Sequence, residues 1–256
     1  MGDHALRLNV IEMGEGSPVL LLHGLFGAAR NWGGIQKRLA QRHRVLAPDL
    51  RNHGESAHAS AMDYPAMAED VAKLMAQRGV LPAAVLGHSM GGKVAMALAL
   101  RHPDMVSRLL VADIAPVRYP PALRGYVAAL RGLALTPGLT RREADASLES
   151  AIPEAGIRAF LLQSLAFGGD VPVWQMGLAE IAAAMPLIED FPLSGRYEGP
   201  TLVLAGERSA YIQPGHHNLF RTLFPAARFA TVERAGHWVH ADNPNAFLAL
   251  TENFLA

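Results

Sequence analysis

The chain has 256 residues, half of them hydrophobic and 18% charged, and its 23 basic and 23 acidic side chains cancel. That composition excludes a disordered chain, and the absence of any Lys/Arg run argues against a polyanion site. There is no cysteine, which excludes disulfides, thiolate metal sites and a cysteine nucleophile.

The start, Met-Gly-Asp-His-Ala-Leu, lacks the charged-then-apolar layout of a secretory signal, and Leu6 stands where a myristoylation pattern wants Ser or Thr. The longest early apolar run, Pro18 to Leu22, is too short to span a bilayer. The expectation is a cytoplasmic protein with a small-molecule partner, and with neither nucleic acid nor membrane.

Short Val- and Leu-rich runs recur along the chain, each leading into a turn and a helix-like stretch. Leu6 to Ile11 alternates polar and apolar residues, as an exposed edge strand does. Val19 to Leu22, Arg44 to Ala47, Ala84 to Leu86 and Leu109 to Ala112 follow, and after a gap come Thr201 to Ala205 and Arg228 to Val232. Continuous apolar strands alternating with helices predict an α/β fold whose mostly parallel sheet is covered on both faces. Between about Val117 and Leu193 the rhythm stops. Ile157, Phe160, Leu161 and Leu165 form one helical stripe, and Trp174, Leu178, Ile181, Met185 and Ile188 form another, with prolines at 116, 120, 121, 186 and 192 punctuating the ends. The expected organisation is one core, residues 1–117 and 194–256, interrupted by a helical cap insertion at 118–193.

The most informative segment is Gly87-His88-Ser89-Met90-Gly91-Gly92. A buried strand precedes it and an Ala-, Leu- and Met-rich helix follows, so Ser89 sits on a sharp strand-to-helix turn. Glycines two residues either side remove Cβ atoms that would clash in that turn. The turn exposes the Ser89 hydroxyl beside helix N-terminal amides, which favour negative charge developing on an adjacent oxygen. The bland alternative is a glycine-rich turn with an incidental serine.

Four segments occur in order: His23-Gly24-Leu25-Phe26-Gly27, Asp49-Leu50-Arg51-Asn52-His53-Gly54-Glu55-Ser56, the Ser89 segment, and Ala235-Gly236-His237-Trp238-Val239-His240. Through them the chain resembles the α/β-hydrolase superfamily. In detail it resembles the bacterial YbfF-type esterases, through Arg51 to Gly54, Asp113 to Val117 and Gly236 to His240. The resemblance implies a nucleophile, an acid and a base in that chain order. His237, after the last core strand, is the expected base, and a neutral-pH imidazole can take and return a proton. The usual Gly-x-x-Asp after the Thr201 strand reads here Gly206-Glu207-Arg208-Ser209, with serine in the aspartate's place. Asp113, at the end of the preceding strand, is the favoured acid and Glu207 the alternative, with Ser209 able to add a supporting hydroxyl. The oxyanion hole falls to the backbone amides of Met90 and Leu25. Phe26 and Trp174 are expected to contact substrate.

Other signals read as structural. His216-His217 and His237-x-x-His240 lack the convergent spacing of a zinc site, so no metal is expected, and Gly14-x-Gly16 opens no helix, so no nucleotide cofactor is expected. Asp49 and the Arg51 to Ser56 turn read as loop organisers, and Asp242 as a helix-entry residue before Asn243-Pro244. The expected function is hydrolysis of carboxylic esters, or acyl thioesters, of small or medium apolar acyl groups through an acyl-serine. Cofactor-free perhydrolases and carbon–carbon bond hydrolases share such a set and stand as alternatives, as does a non-catalytic ligand binder.

Overall fold

The computed structural model describes residues 5–256; the first four residues of the start weighed above lie outside the described residues. In chain order the strands are β1 (Val10–Met13), β2 (Ser17–Leu22), β3 (His43–Pro48), β4 (Ala83–His88), β5 (Val106–Ala112), β6 (Leu165–Ala166), β7 (Val173–Trp174), β8 (Thr201–Gly206) and β9 (Ala227–Val232). The helices are α1 (Gly33–Leu39), α2 (Tyr64–Arg78), α3 (Met90–Arg101), α4 (Arg124–Gly132), α5 (Arg141–Leu148), α6 (Ala155–Leu161), α7 (Leu178–Glu189), α8 (His217–Leu223), α9 (Val239–Asp242) and α10 (Pro244–Leu255).

Seven strands make one sheet in the order β1-β3-β2-β4-β5-β8-β9. β1 runs antiparallel at one edge and the others are parallel. Successive side chains of a strand point to opposite faces, and the two faces are different cores. Leu20, Leu22, Leu46, Val85 and Val111 pack on one side, while Val19, Leu21, Val45, Leu86 and Leu110 pack on the other. That is why these strands read as unbroken apolar runs.

The edge strand begins later than the alternation at Leu6 to Ile11 predicts. Leu6 N–H is taken by the buried Asp70 carboxylate and Asn9 N–H by Ser56 Oγ, so pairing with β3 starts only at Val10.

Between β5 and β8 the chain leaves the sheet and forms α4 to α7, as the lost strand rhythm predicts. Two details differ. β6 and β7 form a two-residue antiparallel ribbon inside the otherwise helical stretch, pairing Leu165 with Trp174 and Ala166 with Val173. α7 also runs through Pro186 to Glu189 instead of stopping there. An interior proline removes one hydrogen bond and crowds the carbonyl four residues back, and here buried side chains hold the carbonyls at the end of the helix beyond it. Tyr64 Oη–H donates to Ile188 O (2.6 Å), and Lys93 Nζ donates to Glu189 O and Asp190 O (3.1 Å each). Lys93 also reaches Val117 O (2.9 Å), so one ammonium fastens both ends of the insertion to the helix after Ser89. Burial pushes this ammonium down to about 7, opposed by Asp190 and Glu189. No helix among the described residues is long and apolar enough to cross a membrane.

Candidate active site

Ser89 stands between β4 and α3 with φ 52° and ψ −122°, in the left-handed region that disfavours a side chain. The surroundings hold it there. Its N–H donates to Ala112 O on β5 (3.0 Å), and its carbonyl accepts from Gly92 N (2.8 Å) and Lys93 N (3.2 Å). The flanking glycines are sterically required: a Cβ on Gly87 would collide with Gly91 O, and one on Gly91 with Leu22 O and His23 O.

Asp113 extends β5 by one residue, also with positive φ (51°), and its side chain is fully buried. Oδ1 accepts Gly206 N–H (2.9 Å). Oδ2 accepts the His237 Nδ1–H (2.8 Å) and the Ser209 hydroxyl in a short bond. The carboxylate thereby fixes the imidazole with Nε2 as its free nitrogen. The His237 ring stacks on Tyr211 at 3.9 Å and 20°, and its carbonyl accepts His88 Nε2–H (2.8 Å). Gly236 N–H donates to Asp242 Oδ2 (2.7 Å), so Asp242 also braces the His237 loop. Glu207 is exposed and accepts Arg234 N–H (2.6 Å), apart from His237.

The amides beside Ser89 are available. Among the described residues neither Met90 N–H, at the start of α3, nor Leu25 N–H donates to another protein group. Phe26 carries positive φ (66°), and its own N–H is spent on His53 Nε2 (3.2 Å). His53 Nδ1–H donates in turn to Arg51 O (2.9 Å), so this ring must be neutral to hold the loop. Burial, reinforced by neighbouring His23, pushes His53 down to about 3. His23 is equally buried and depressed by burial, and its Nε2 accepts Leu50 N–H (2.9 Å). Asp49 is held ionised against its burial by Glu55 N–H, Ala29 N–H and the Asn9 amide. The Arg51 to Ser56 turn therefore organises the Leu25–Phe26 loop, as its sequence suggests.

Ser89 and His237 open into one apolar cavity of about 220 Å³, walled by Phe26, Trp32, Ile157, Phe160 and Trp238. A second cavity of about 420 Å³ also reaches Ser89 and Leu25 and extends past Met90 toward Met185 and Ile188. Of the two residues expected to contact substrate, Phe26 lines the first cavity. Trp174 borders neither cavity, because β7 ties it to Leu165 in the ribbon, where it packs on the buried cluster. The structure adds Tyr211, which the sequence does not single out because a loop residue stacked on His237 carries no periodic signal. His216 and His217 are spent apart, on Gln213 N–H (3.2 Å) and on the Phe229 ring (4.0 Å).

A sharp serine turn, a carboxylate-held histidine and two unspent amides at one edge of a parallel sheet define a hydrolase architecture. A family model described as alpha/beta hydrolase fold matches residues 17–244, and the chain belongs to that family. It is 43% identical over 247 residues to a mouse (Mus musculus) protein named sn-1-specific diacylglycerol lipase ABHD11, covering 93% of this chain and 80% of the relative. It is 33% identical over 240 residues to the esterase YbfF of Escherichia coli, covering 93% of each. Among solved structures, one titled Marine microorganism esterase superposes with a TM-score of 0.95 at 34% identity, over 98% of this chain and 100% of that one. At the level of the family, the chain is a carboxylic ester hydrolase.

Proposed function

We propose that the protein hydrolyses carboxylic esters of small or medium apolar acyl groups through an acyl-serine intermediate. Ser89 Oγ attacks the carbonyl carbon and passes its proton to His237 Nε2, while the amides of Leu25 and Met90 receive the oxyanion. The tetrahedral intermediate collapses with cleavage of the carbon–oxygen bond, and His237 gives the proton to the departing alkoxide. Water, activated by the same imidazole, then releases the acid and restores Ser89. Asp113 holds the ring in the tautomer that leaves Nε2 free and stabilises the imidazolium.

The observation that carries this reading is the buried Asp113 carboxylate on His237 Nδ1, with that ring and Ser89 facing one apolar cavity. Covalent labelling by a fluorophosphonate tests it. Wild type should gain one adduct, on Ser89, and Ser89→Ala should gain none. A folded wild type that stays unlabelled would overturn the reading.

A further inference from the structure

Ser89 stands where the two cavities meet, and Leu25, Leu123 and Tyr211 are the other residues that border both. Their walls differ on the two sides of the nucleophile. The first has Phe26, Phe160 and Trp238 rings around it. The second runs from a buried end at Tyr64, Ile114 and Met185 to exposed Arg118, Ala122 and Gln213 at its mouth. The second cavity has about twice the volume of the first.

The acyl-serine reading, on which this inference rests, assigns each cavity a half of the substrate. The carbon bonded to Ser89 Oγ carries an oxyanion, the acyl chain and the leaving oxygen. The oxyanion is directed to the Leu25 and Met90 amides. The leaving oxygen must receive its proton from His237 Nε2, since Asp113 occupies Nδ1. His237, Trp238 and His240 line the first cavity and not the second, whereas Met90 lines the second and not the first.

We infer that the alcohol half lies in the aromatic first cavity and the acyl chain in the larger second one, making esters with a neutral, medium-length aliphatic acyl chain the preferred substrates. Charge in the second cavity does not contradict an apolar chain. The Lys93 ammonium there is surrounded by the carbonyls of Val117, Ile188, Glu189 and Asp190, and Arg118 at the mouth is paired with Asp190. Both cations thus already have protein partners, so the second cavity presents no unpaired positive charge to call for a carboxylate at the far end of an acyl group.

The test uses two ester series and two obstructing substitutions. One series varies the acyl chain from acetate to decanoate on 4-nitrophenol. The other varies the alcohol from methanol to 2-naphthol at constant acyl chain. Ala122→Trp, at the mouth of the second cavity, should lower the decanoate-to-acetate ratio of kcat/KM by about tenfold or more while moving the naphthyl-to-methyl ratio by less than about twofold. Ile157→Trp, in the first cavity, should do the reverse. Thermal melting checks that each variant is folded; Ala210→Phe and Ile157→Ala, a second obstruction and a widening of the same two cavities, replace any that is not. Crossed effects, or ratios that neither substitution moves, overturn the assignment. If wild type takes no fluorophosphonate and cleaves no ester, the acyl-serine reading itself fails and the assignment falls with it; labelling with crossed ratios refutes the assignment alone.

Discussion

Replacing Asp113 by asparagine probes the site more sharply than its removal, because the surroundings dictate which way the amide must face. Gly206 N–H points at Oδ1 from 2.9 Å and needs an acceptor, so the amide oxygen takes that position. The NH₂ group is then forced into the place of Oδ2, facing His237 Nδ1 and the Ser209 hydroxyl. An amide NH₂ only donates. The imidazole must therefore accept at Nδ1 and carry its proton on Nε2, where it can no longer take the proton of Ser89. Asp113→Asn should thus leave the fold and KM nearly intact while kcat falls roughly 10⁴-fold, about 5 kcal/mol of barrier. Steady-state hydrolysis of a 4-nitrophenyl ester measures this directly. Glu207→Gln keeps an oxygen to accept Arg234 N–H and should change kcat by no more than about twofold, the scale of an exposed substitution. Adding Ser209→Asp to Asp113→Asn returns a carboxylate beside His237 and should recover part of the lost rate. A loss below about tenfold for Asp113→Asn, or a larger loss for Glu207→Gln, would refute the assignment of the acid.

Other expectations follow from the residues around Ser89, Asp113 and His237. His240 packs half-buried against Trp32 (4.5 Å between rings), and desolvation, together with neighbouring His237, pushes it down to about 4. As pH falls below the ordinary histidine value near 6.5, the unfolded chain takes up a proton at this position while the folded chain does not until about 4. The unfolded state then binds more protons, so stability is lost as pH drops through that window, by about 3 kcal/mol from this group. Urea unfolding between pH 7 and 4 should show a shallower loss in His240→Phe than in wild type; parallel curves would contradict it. Gly91→Ala puts a methyl group into Leu22 O and His23 O and should destabilise by about 1–3 kcal/mol with loss of fluorophosphonate labelling, read by melting and gel fluorescence. Lys93→Met leaves the carbonyls of Val117, Glu189 and Asp190 without their shared donor and should lower stability by about 1–3 kcal/mol in urea titrations, an unchanged midpoint arguing against its fastening role.

The parts of this molecule that are legible in the sequence are those whose chemistry is local. Strands buried on both faces must be apolar throughout, so runs such as Val19 to Leu22 or Thr201 to Ala205 mark β2 and β8 to within two residues. The glycines around Ser89 are required by their own turn and show themselves in the same way. Asp113 is harder to place, because its partner His237 lies 124 positions away and only the fold joins them. Ser209 in place of the usual aspartate is a departure in the sequence; in the structure its hydroxyl donates to the Asp113 carboxylate.

What stays hidden depends on contacts between distant loops. β6 and β7 have two residues each, too few to show any period, and Trp174 consequently reads in the sequence as part of a helical stripe and as a substrate contact. Tyr211 reaches His237 because Tyr119 Oη–H holds Tyr211 O (2.6 Å), a link across 92 positions. The neutral His53 under the Leu25–Phe26 loop is likewise set by burial and by Phe26 N–H, neither of which is written in the Arg51-Asn52-His53-Gly54 segment itself.

The acyl-serine is the central claim, and its mass is the most direct measure of it. Protein mixed with a slowly deacylating 4-nitrophenyl ester and quenched in acid during turnover should carry one acyl group, located by peptide mapping on Ser89 and absent from Ser89→Ala. Continued ester cleavage with Ser89 unmodified in the quenched wild type would contradict it.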